Sequence, residues 1–338
     1  MLFLQNKFVV NIIRLYYTLY CIFLLILGFS FKGWKSFQRF IRKKPKCLEG
    51  WNSGYLKLKE VRLHYVQTGS DDKPLLLFIH GFPEFWYSWR FQLEEFKNEY
   101  RCVAIDQRGY NLSDKPEGKE FYTIDHLVND VKESIELLGY SSAIIVSHDW
   151  GGCVGWKFAE KYPEMCEKLV FMNIPRPNVL LNYIQSNWIQ FRKSWYMFFY
   201  QTEKFPEMAW TFDDMNNLKL CFRSNQMGLR NKKNFTDEDL EAWKYVFSSN
   251  GASFKYPINY YRNLFSDVKA FDKEISLEMP ILIIWGDNDG ALESNMAKIS
   301  LKNLKNGRLE FIAGASHWVQ QDEPEKCNNL MREFFAEK

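Results

Sequence analysis

The sequence has no Cys-x-x-Cys pair, and its seven cysteines are odd in number and irregularly spaced. That pattern fits neither a disulfide framework nor a zinc site, and it suits a reducing, cytosol-facing body. No metal or other cofactor is expected. Internal repeats and low-complexity tracts are absent too, which sets aside solenoids and unfolded linkers. Net charge is only +3, but its distribution is uneven: the first fifty residues hold nine Lys or Arg against Glu49 alone, giving +8 there and −5 for the rest. The body is therefore mildly acidic and offers no nucleic-acid surface. Histidine is scarce as well, five in 338 residues, so any one placed in a loop after a late strand stands out.

What the sequence does have begins with a long apolar run. Phe8 to Phe31 can cross a bilayer, because about 20 residues rising roughly 1.5 Å each span its core of about 30 Å. Asn11 and Arg14 interrupt it, and Tyr16, Tyr17 and Tyr20 suit an interfacial belt. No small-x-small cleavage site precedes the basic cluster that follows, so a retained anchor over residues 1–31 is expected rather than a signal peptide. Residues 32–50 form a basic juxtamembrane segment with Lys32, Lys35, Arg39, Arg42, Lys43, Lys44 and Lys46. This excess predicts that the C-terminal flank stays cytosolic, against anionic headgroups. The expected placement is a single-pass membrane protein, at the endoplasmic reticulum, with its body facing the cytosol. Cys21 inside the apolar segment and Cys47 just after the basic run are palmitoylation candidates.

Beyond residue 51 the chain reads as short buried strands alternating with helices. Tyr55 to Lys59 and Val61 to Gln67 alternate, and Leu75 to His80, Cys102 to Asp106, Ala143 to Ser147, Leu169 to Met172, Ile281 to Trp285 and Leu309 to Ile312 are apolar runs ending in polar loops. Thr123 to Leu138 has helical spacing behind a Thr cap. Such alternation predicts a mostly parallel, doubly wound sheet. The rhythm breaks at about 176–266, which is aromatic and helical with no strand-length buried run, as in Thr236-Asp-Glu-Asp before Leu240. An inserted helical lid is expected there.

The loops carry the chemistry. Ser147-His-Asp149-Trp150-Gly151-Gly152 follows a strand, opens a helix and has small residues where a nucleophile elbow needs them, with Asp149 as nucleophile. His80-Gly-Phe82-Pro83 follows another strand; the amides of Phe82 and Trp150 would make an oxyanion hole, with His80, Pro83 and Trp150 against the substrate. Asp106-Gln-Arg108 is a structural loop in which Arg108 is an ion-pair partner. Trp285-Gly-Asp287-Asn-Asp289 and Ala313-Gly-Ala-Ser-His317 supply an acid and a base in the order nucleophile, acid, base. Asp289 is preferred over Asp287 because it lies one step further into the loop. Asn173 stands where an acid could also be placed and is no carboxylate.

From about residue 51 to its end the chain resembles the epoxide hydrolases of the α/β-hydrolase superfamily, and most of all their membrane-anchored, epoxide hydrolase 4-like branch. The matching segments are HGFPEFWYSWR, DQRGYNLSDKP, SHDWGG, MNIPRPN, PINYYRN, WGDND and ASHWVQQDEP. The resemblance implies an α/β-hydrolase domain over 51–338 with a cap at about 176–266, and two lid tyrosines as proton donors, which fall on Tyr196 and Tyr261; Tyr200 and Tyr260 are the neighbouring alternatives. It further implies that Asp149 attacks an epoxide carbon and that water activated by His317, held by Asp289, hydrolyses the ester to a vicinal diol. Membrane proximity and an aromatic lid point to apolar substrates, fatty-acid epoxides among them, and so to lipid metabolism. Two departures stand out: Ser147 where Gly is common, and Gly290 after the acid, which would loosen the loop aiming Asp289. The alternatives are a haloalkane or haloacid dehalogenase using the same Asp, and an inactive membrane-tethered binding protein. Phe82, where many haloalkane dehalogenases carry Asn, and the tyrosines disfavour the first; the retained Asp149, Asp289 and His317 disfavour the second.

Overall fold

The structure, a computed structural model, describes residues 3–38, 40–249, 251–265, 276–302 and 304–337. Residues 1–2 of the expected anchor, Arg39 of the basic run, residue 266 at the expected end of the lid and residue 338 lie outside the described residues.

Eight strands form one sheet: β1 (Asn52–Lys57), β2 (Arg62–Thr68), β3 (Leu75–Ile79), β4 (Arg101–Ile105), β5 (Ala143–His148), β6 (Cys166–Met172), β7 (Ile281–Gly286) and β8 (Gly307–Ile312). Their spatial order is β1-β2-β4-β3-β5-β6-β7-β8, antiparallel at the β1/β2 and β2/β4 pairs and parallel at the rest. All residues of β3, β4, β5 and β7 are buried, because helices cover both faces, and this is why these strands appear in the sequence as unbroken apolar runs. The first strand starts three residues before the sequence expectation. Its alternation is weak at an edge where side chains stay exposed, and its register comes from pairing Asn52 to Lys57 with Gln67 to Arg62.

The described α-helices that precede β7 are α1 (Lys7–Lys32), α2 (Arg90–Phe96), α3 (Ile124–Leu137), α4 (Asp149–Lys161) and, between β6 and β7, α5 (Pro177–Ser186), α6 (Trp188–Lys193), α7 (Trp195–Phe199), α8 (Phe205–Arg223), α9 (Asp237–Ser248) and α10 (Lys255–Leu264). Among the described residues the stretch between β6 and β7 that holds α5–α10 contains no strand longer than an isolated bridge, so this insertion is a helical cap over the sheet. Thr236 starts α9 with a capping box to Asp239, satisfying the free amides of the first turn. Arg108 lies buried with two 2.6 Å bonds to Asp130 and ties the loop after β4 to α3. Paired on both nitrogens in this way, it is the structural ion pair that its loop suggested.

Strand order reverses between β3, whose neighbours are β4 and β5, and the strands added beyond β5. The loops leaving the carboxyl ends of β3 and β5 therefore flank a crevice at this switch point, where open α/β sheets hold their ligands.

Candidate active site

Asp149 is the first residue of α4 and sits at φ 48°, a left-handed conformation that costs a residue with a Cβ of the order of 1 kcal/mol or more. The turn is held because α4 must pass the sheet closely: a Cβ on Gly151 would lie 2.2 Å from the Ile79 carbonyl oxygen, and one on Gly152 2.1 Å from Ile174 Cγ2. Ser147 fits at the head of the elbow, its hydroxyl facing Gly155 and donating to the Val170 carbonyl at 3.3 Å.

One Asp149 oxygen, Oδ1, accepts the Phe82 amide at 2.8 Å; the other, Oδ2, lies 3.5 Å from His317 Nε2. On the far side of that imidazole, Nδ1 lies 2.7 Å from Asp289 Oδ2. Asp289 is buried and fully engaged: Asn173 donates to Oδ2 at 2.7 Å, and the amides of Ala291 and Leu292 donate to Oδ1 at 2.7 and 2.9 Å. Asp287, by contrast, is exposed and accepts the Gly314 amide, so it is Asp289 that reaches the imidazole.

Burial alone would raise both carboxyls, but the bond to His317 and its charge outweigh burial and hold Asp149 and Asp289 below the usual carboxylate range. For His317, burial lowers the pKa and the two facing carboxylates overcome it, pushing the imidazole up to about 10. The arrangement is thus an imidazolium clamped between two carboxylates, one positioned by the elbow and the other by a loop.

Over this group the cap lowers an aromatic cluster. The Tyr261 ring lies 5.0 Å from Trp150, 5.3 Å from Phe82 and 5.7 Å from Tyr196. Hydroxyl partners separate the four tyrosines. Tyr200 Oη accepts from Trp210 Nε1 at 2.9 Å, and Tyr260 Oη donates to the Arg108 carbonyl at 2.8 Å. Among the described residues neither the Tyr196 nor the Tyr261 hydroxyl has a hydrogen-bond partner. Burial, followed by the charge of Asp149, drives both phenols well above their ordinary pKa. They stay protonated and free to donate.

Two expectations change. His80 does not face the site: its Nδ1 lies 2.8 Å from the Gly81 carbonyl, its Nε2 accepts the Gln107 amide at 3.1 Å, and its ring abuts Tyr110. With both nitrogens occupied it supports the loop after β3 rather than touching substrate. Gly290 does not slacken the acid loop. A Cβ there would stand 2.4 Å from the Gln226 carbonyl and 2.7 Å from the Met227 sulfur, so glycine lets the cap segment after α8 press directly on the turn that aims Asp289.

Some supporting residues had no readable sequence signal. Glu84 is wholly buried; its Oε2 accepts the Gly81 amide at 2.9 Å and lies 2.6 Å from His148 Nδ1, while Oε1 accepts from Gln320 and Gln321 at 3.0 Å each. His148 Nε2 in turn donates to the His317 carbonyl at 2.9 Å. The loop after β3, the elbow and the loop carrying His317 are therefore joined through one carboxylate. Lys193 of α6 donates to the Asp289 carbonyl at 3.0 Å, linking the cap to the acid.

The chain is similar to known proteins over most of its length. Residues 74–324 match the family model described as alpha/beta hydrolase fold. The chain is 61% identical over 328 residues to epoxide hydrolase 1 of Caenorhabditis elegans, covering 97% of this chain and 81% of that protein. It is 44% identical over 312 residues to human epoxide hydrolase 4, covering 90% and 85% respectively. A crystal structure of Bacillus megaterium epoxide hydrolase in complex with an inhibitor superimposes with a TM-score of 0.77 at 34% identity, covering 84% of this chain and all of that one.

Proposed function

The chain belongs to the α/β-hydrolase fold family and is an epoxide hydrolase, and on that premise we propose that it opens apolar epoxides, including those of fatty acids, through an ester on Asp149. The observation that carries this reading is the pair of unpartnered phenols over a carboxylate that already faces an imidazole. An ionised carboxylate attacks carbon without help from a base. The ring oxygen, however, leaves as an alkoxide and needs a proton, which Tyr196 and Tyr261 supply. A halide would need no such proton, so the same two hydroxyls set the reading apart from dehalogenation.

In this mechanism Asp149 Oδ2 bonds to a substrate carbon as the ring C–O bond breaks, and the alkoxide takes a tyrosine proton. Esterification removes the negative charge beside His317, so the imidazolium gives up its proton, relayed through solvent to the tyrosinate, and becomes the base. Water then gives a proton to Nε2 and attacks the ester carbonyl carbon. The oxyanion forms on Oδ1, where the Phe82 amide already donates. The Trp150 amide, in the first turn of α4, is the second donor, each worth about 2.7 to 4 kcal/mol. The diol leaves with the proton from His317, and the acid proton left on Asp149 passes to the neutral imidazole, restoring the carboxylate–imidazolium pair. Asp289 holds the imidazole tautomer throughout. Pro83 and Trp150 bound the substrate beside the nucleophile.

One turnover in heavy-oxygen water tests this path. Because the ester is cleaved at its carbonyl carbon, the label should enter Asp149 and not the first equivalent of diol. Label in the diol alone would mean that water attacks the epoxide directly.

Helix α1 is long and apolar enough to cross a membrane. We propose that it tethers the enzyme to one, with the basic segment and body on the cytosolic side, as at the endoplasmic reticulum. A single-pass crossing would require α1 to leave the cap.

A further inference from the structure

Helix α1 is not a free rod. It lies along the cap for most of its length: Leu4, just before it, donates its amide to Gln185 Oε1 at 3.0 Å, and Phe3 meets the Phe191 ring edge-on. At mid-helix the Thr18 and Thr202 hydroxyls are 2.7 Å apart, with Tyr17 packed on Trp195 and Phe198. Further on, Gly28 lets Phe212 approach closely. The buried stripe thus runs down one face, with Val10, Thr18 and Cys21.

The opposite face is exposed and almost wholly apolar, with Ile12, Leu15, Leu19, Phe23 and Ile26 each more than half accessible. The cap continues that surface. Trp188 is 69% exposed and Ile189 56% exposed on α6, and Trp195 is exposed on α7 beside Tyr17. A surface so continuous and apolar exceeds what soluble monomers leave to water. Cations surround it, including Lys7, Arg14 and Lys35 by sequence and Lys32 at the far end, paired with Asp213. Tryptophans beside an apolar stripe edged by positive charge match the interface of an anionic bilayer.

We propose that the cap is itself the membrane-contacting surface: α1 stays seated on it, and the outer face of α1 enters one leaflet side-on together with Trp188, Ile189 and Trp195. The consequence for the substrate is direct. Trp195 and Tyr196 are consecutive on α7, one facing outward and the other toward Tyr261. Of Tyr196, Tyr200, Tyr260 and Tyr261, only Tyr196 keeps appreciable accessible surface. The lipid contact and a proton donor therefore share one short helix, and an epoxide dissolved in the leaflet reaches the site past α7 without crossing bulk water. This last step rests on the function proposed above; the docking does not.

Docking is tested on the full chain with Thr18→Cys/Thr202→Cys and phosphatidylcholine–phosphatidylserine vesicles. The disulfide should form in vesicle-bound protein, and the cross-linked form should float with the vesicles as the reduced form does. Failure to cross-link on vesicles, or loss of flotation once cross-linked, would overturn side-on docking in favour of a helix that leaves the cap. Substrate delivery is tested with Trp188→Ser/Ile189→Ser. Its kcat/KM for a long-chain fatty-acid epoxide dissolved in vesicles should fall about tenfold, as expected when apolar side chains lose their membrane contact, with a short water-soluble epoxide unaffected. An equal change for both substrates, or none for either, refutes delivery through this face. Inability of the wild-type protein to open the water-soluble epoxide would count against the catalytic reading instead, since flotation is measured without turnover.

Discussion

On the two-step path proposed above, His317→Gln should separate the two half-reactions. In the free enzyme the imidazole faces both carboxylates, Asp149 at 3.5 Å and Asp289 at 2.7 Å, and its hydrogen bond and charge together do most to offset the burial of Asp149. Glutamine keeps bulk and polarity but carries no charge and takes no proton. The Asp149 carboxyl should then rise, so ester formation slows at low pH and recovers as pH increases. Ester hydrolysis loses its general base outright, a loss of about 10²- to 10⁴-fold, or roughly 3 to 5.5 kcal/mol of barrier. The second step suffers more than the first above the raised Asp149 pKa, so the variant should accumulate the ester. Mixing with excess epoxide, acid quenching and intact mass measurement should show one substrate mass per chain, located on the peptide containing Asp149. Turnover near the wild-type rate, or an adduct on any other side chain, would refute the assignment of base and nucleophile together.

Further expectations concern neighbouring groups. Tyr196→Phe and Tyr261→Phe should each slow ring opening by about 10²-fold or more in single-turnover kinetics, whereas Tyr200→Phe, whose hydroxyl serves Trp210, should leave it within a few-fold. Gly290→Ala forces a methyl group onto the Gln226 carbonyl and should cost about 1 to 3 kcal/mol in denaturant unfolding; an unchanged midpoint would show that the acid loop has slack after all. His317 is raised from 6.5 to about 10 by folding, so its contribution to stability is complete below pH 6.5 and is lost as pH climbs toward 10. Thermal unfolding of the wild type should therefore decline across that interval more steeply than that of His317→Gln, and parallel curves would contradict the clamped imidazolium.

Much of the scaffold was legible because its strands are buried on both faces, and such strands leave a run of apolar letters that no solvent-facing alternation interrupts. The elbow was legible for a related reason: Asp149 before two small residues is a local arrangement, set by chain neighbours. Choosing Asp289 over Asp287 needed only the length of the loop. What stayed hidden depends on contacts distant in sequence. Gly290 looked like slack because the Gln226 carbonyl that fills its empty side lies in the cap. His80 looked like a substrate contact because the Gln107 amide that occupies its ring comes from another strand's loop. The tyrosines were assigned by resemblance; it is the Trp210 and Arg108 partners of Tyr200 and Tyr260, invisible in one dimension, that distinguish these two from Tyr196 and Tyr261. Glu84 carried no signal because two of its partner segments, the end of β5 and the adjacent pair Gln320 and Gln321, lie far away in sequence.

That last carboxylate has a mechanical consequence. Since Glu84 gathers the backbone behind Phe82, His148 before Asp149 and the segment following His317, these three parts are held together, and on the proposed path they stay so from one half-reaction to the next. On that path the frame that admits the epoxide is the frame that must later receive water, so whatever breathing lets the diol depart has to be supplied by the helices above it.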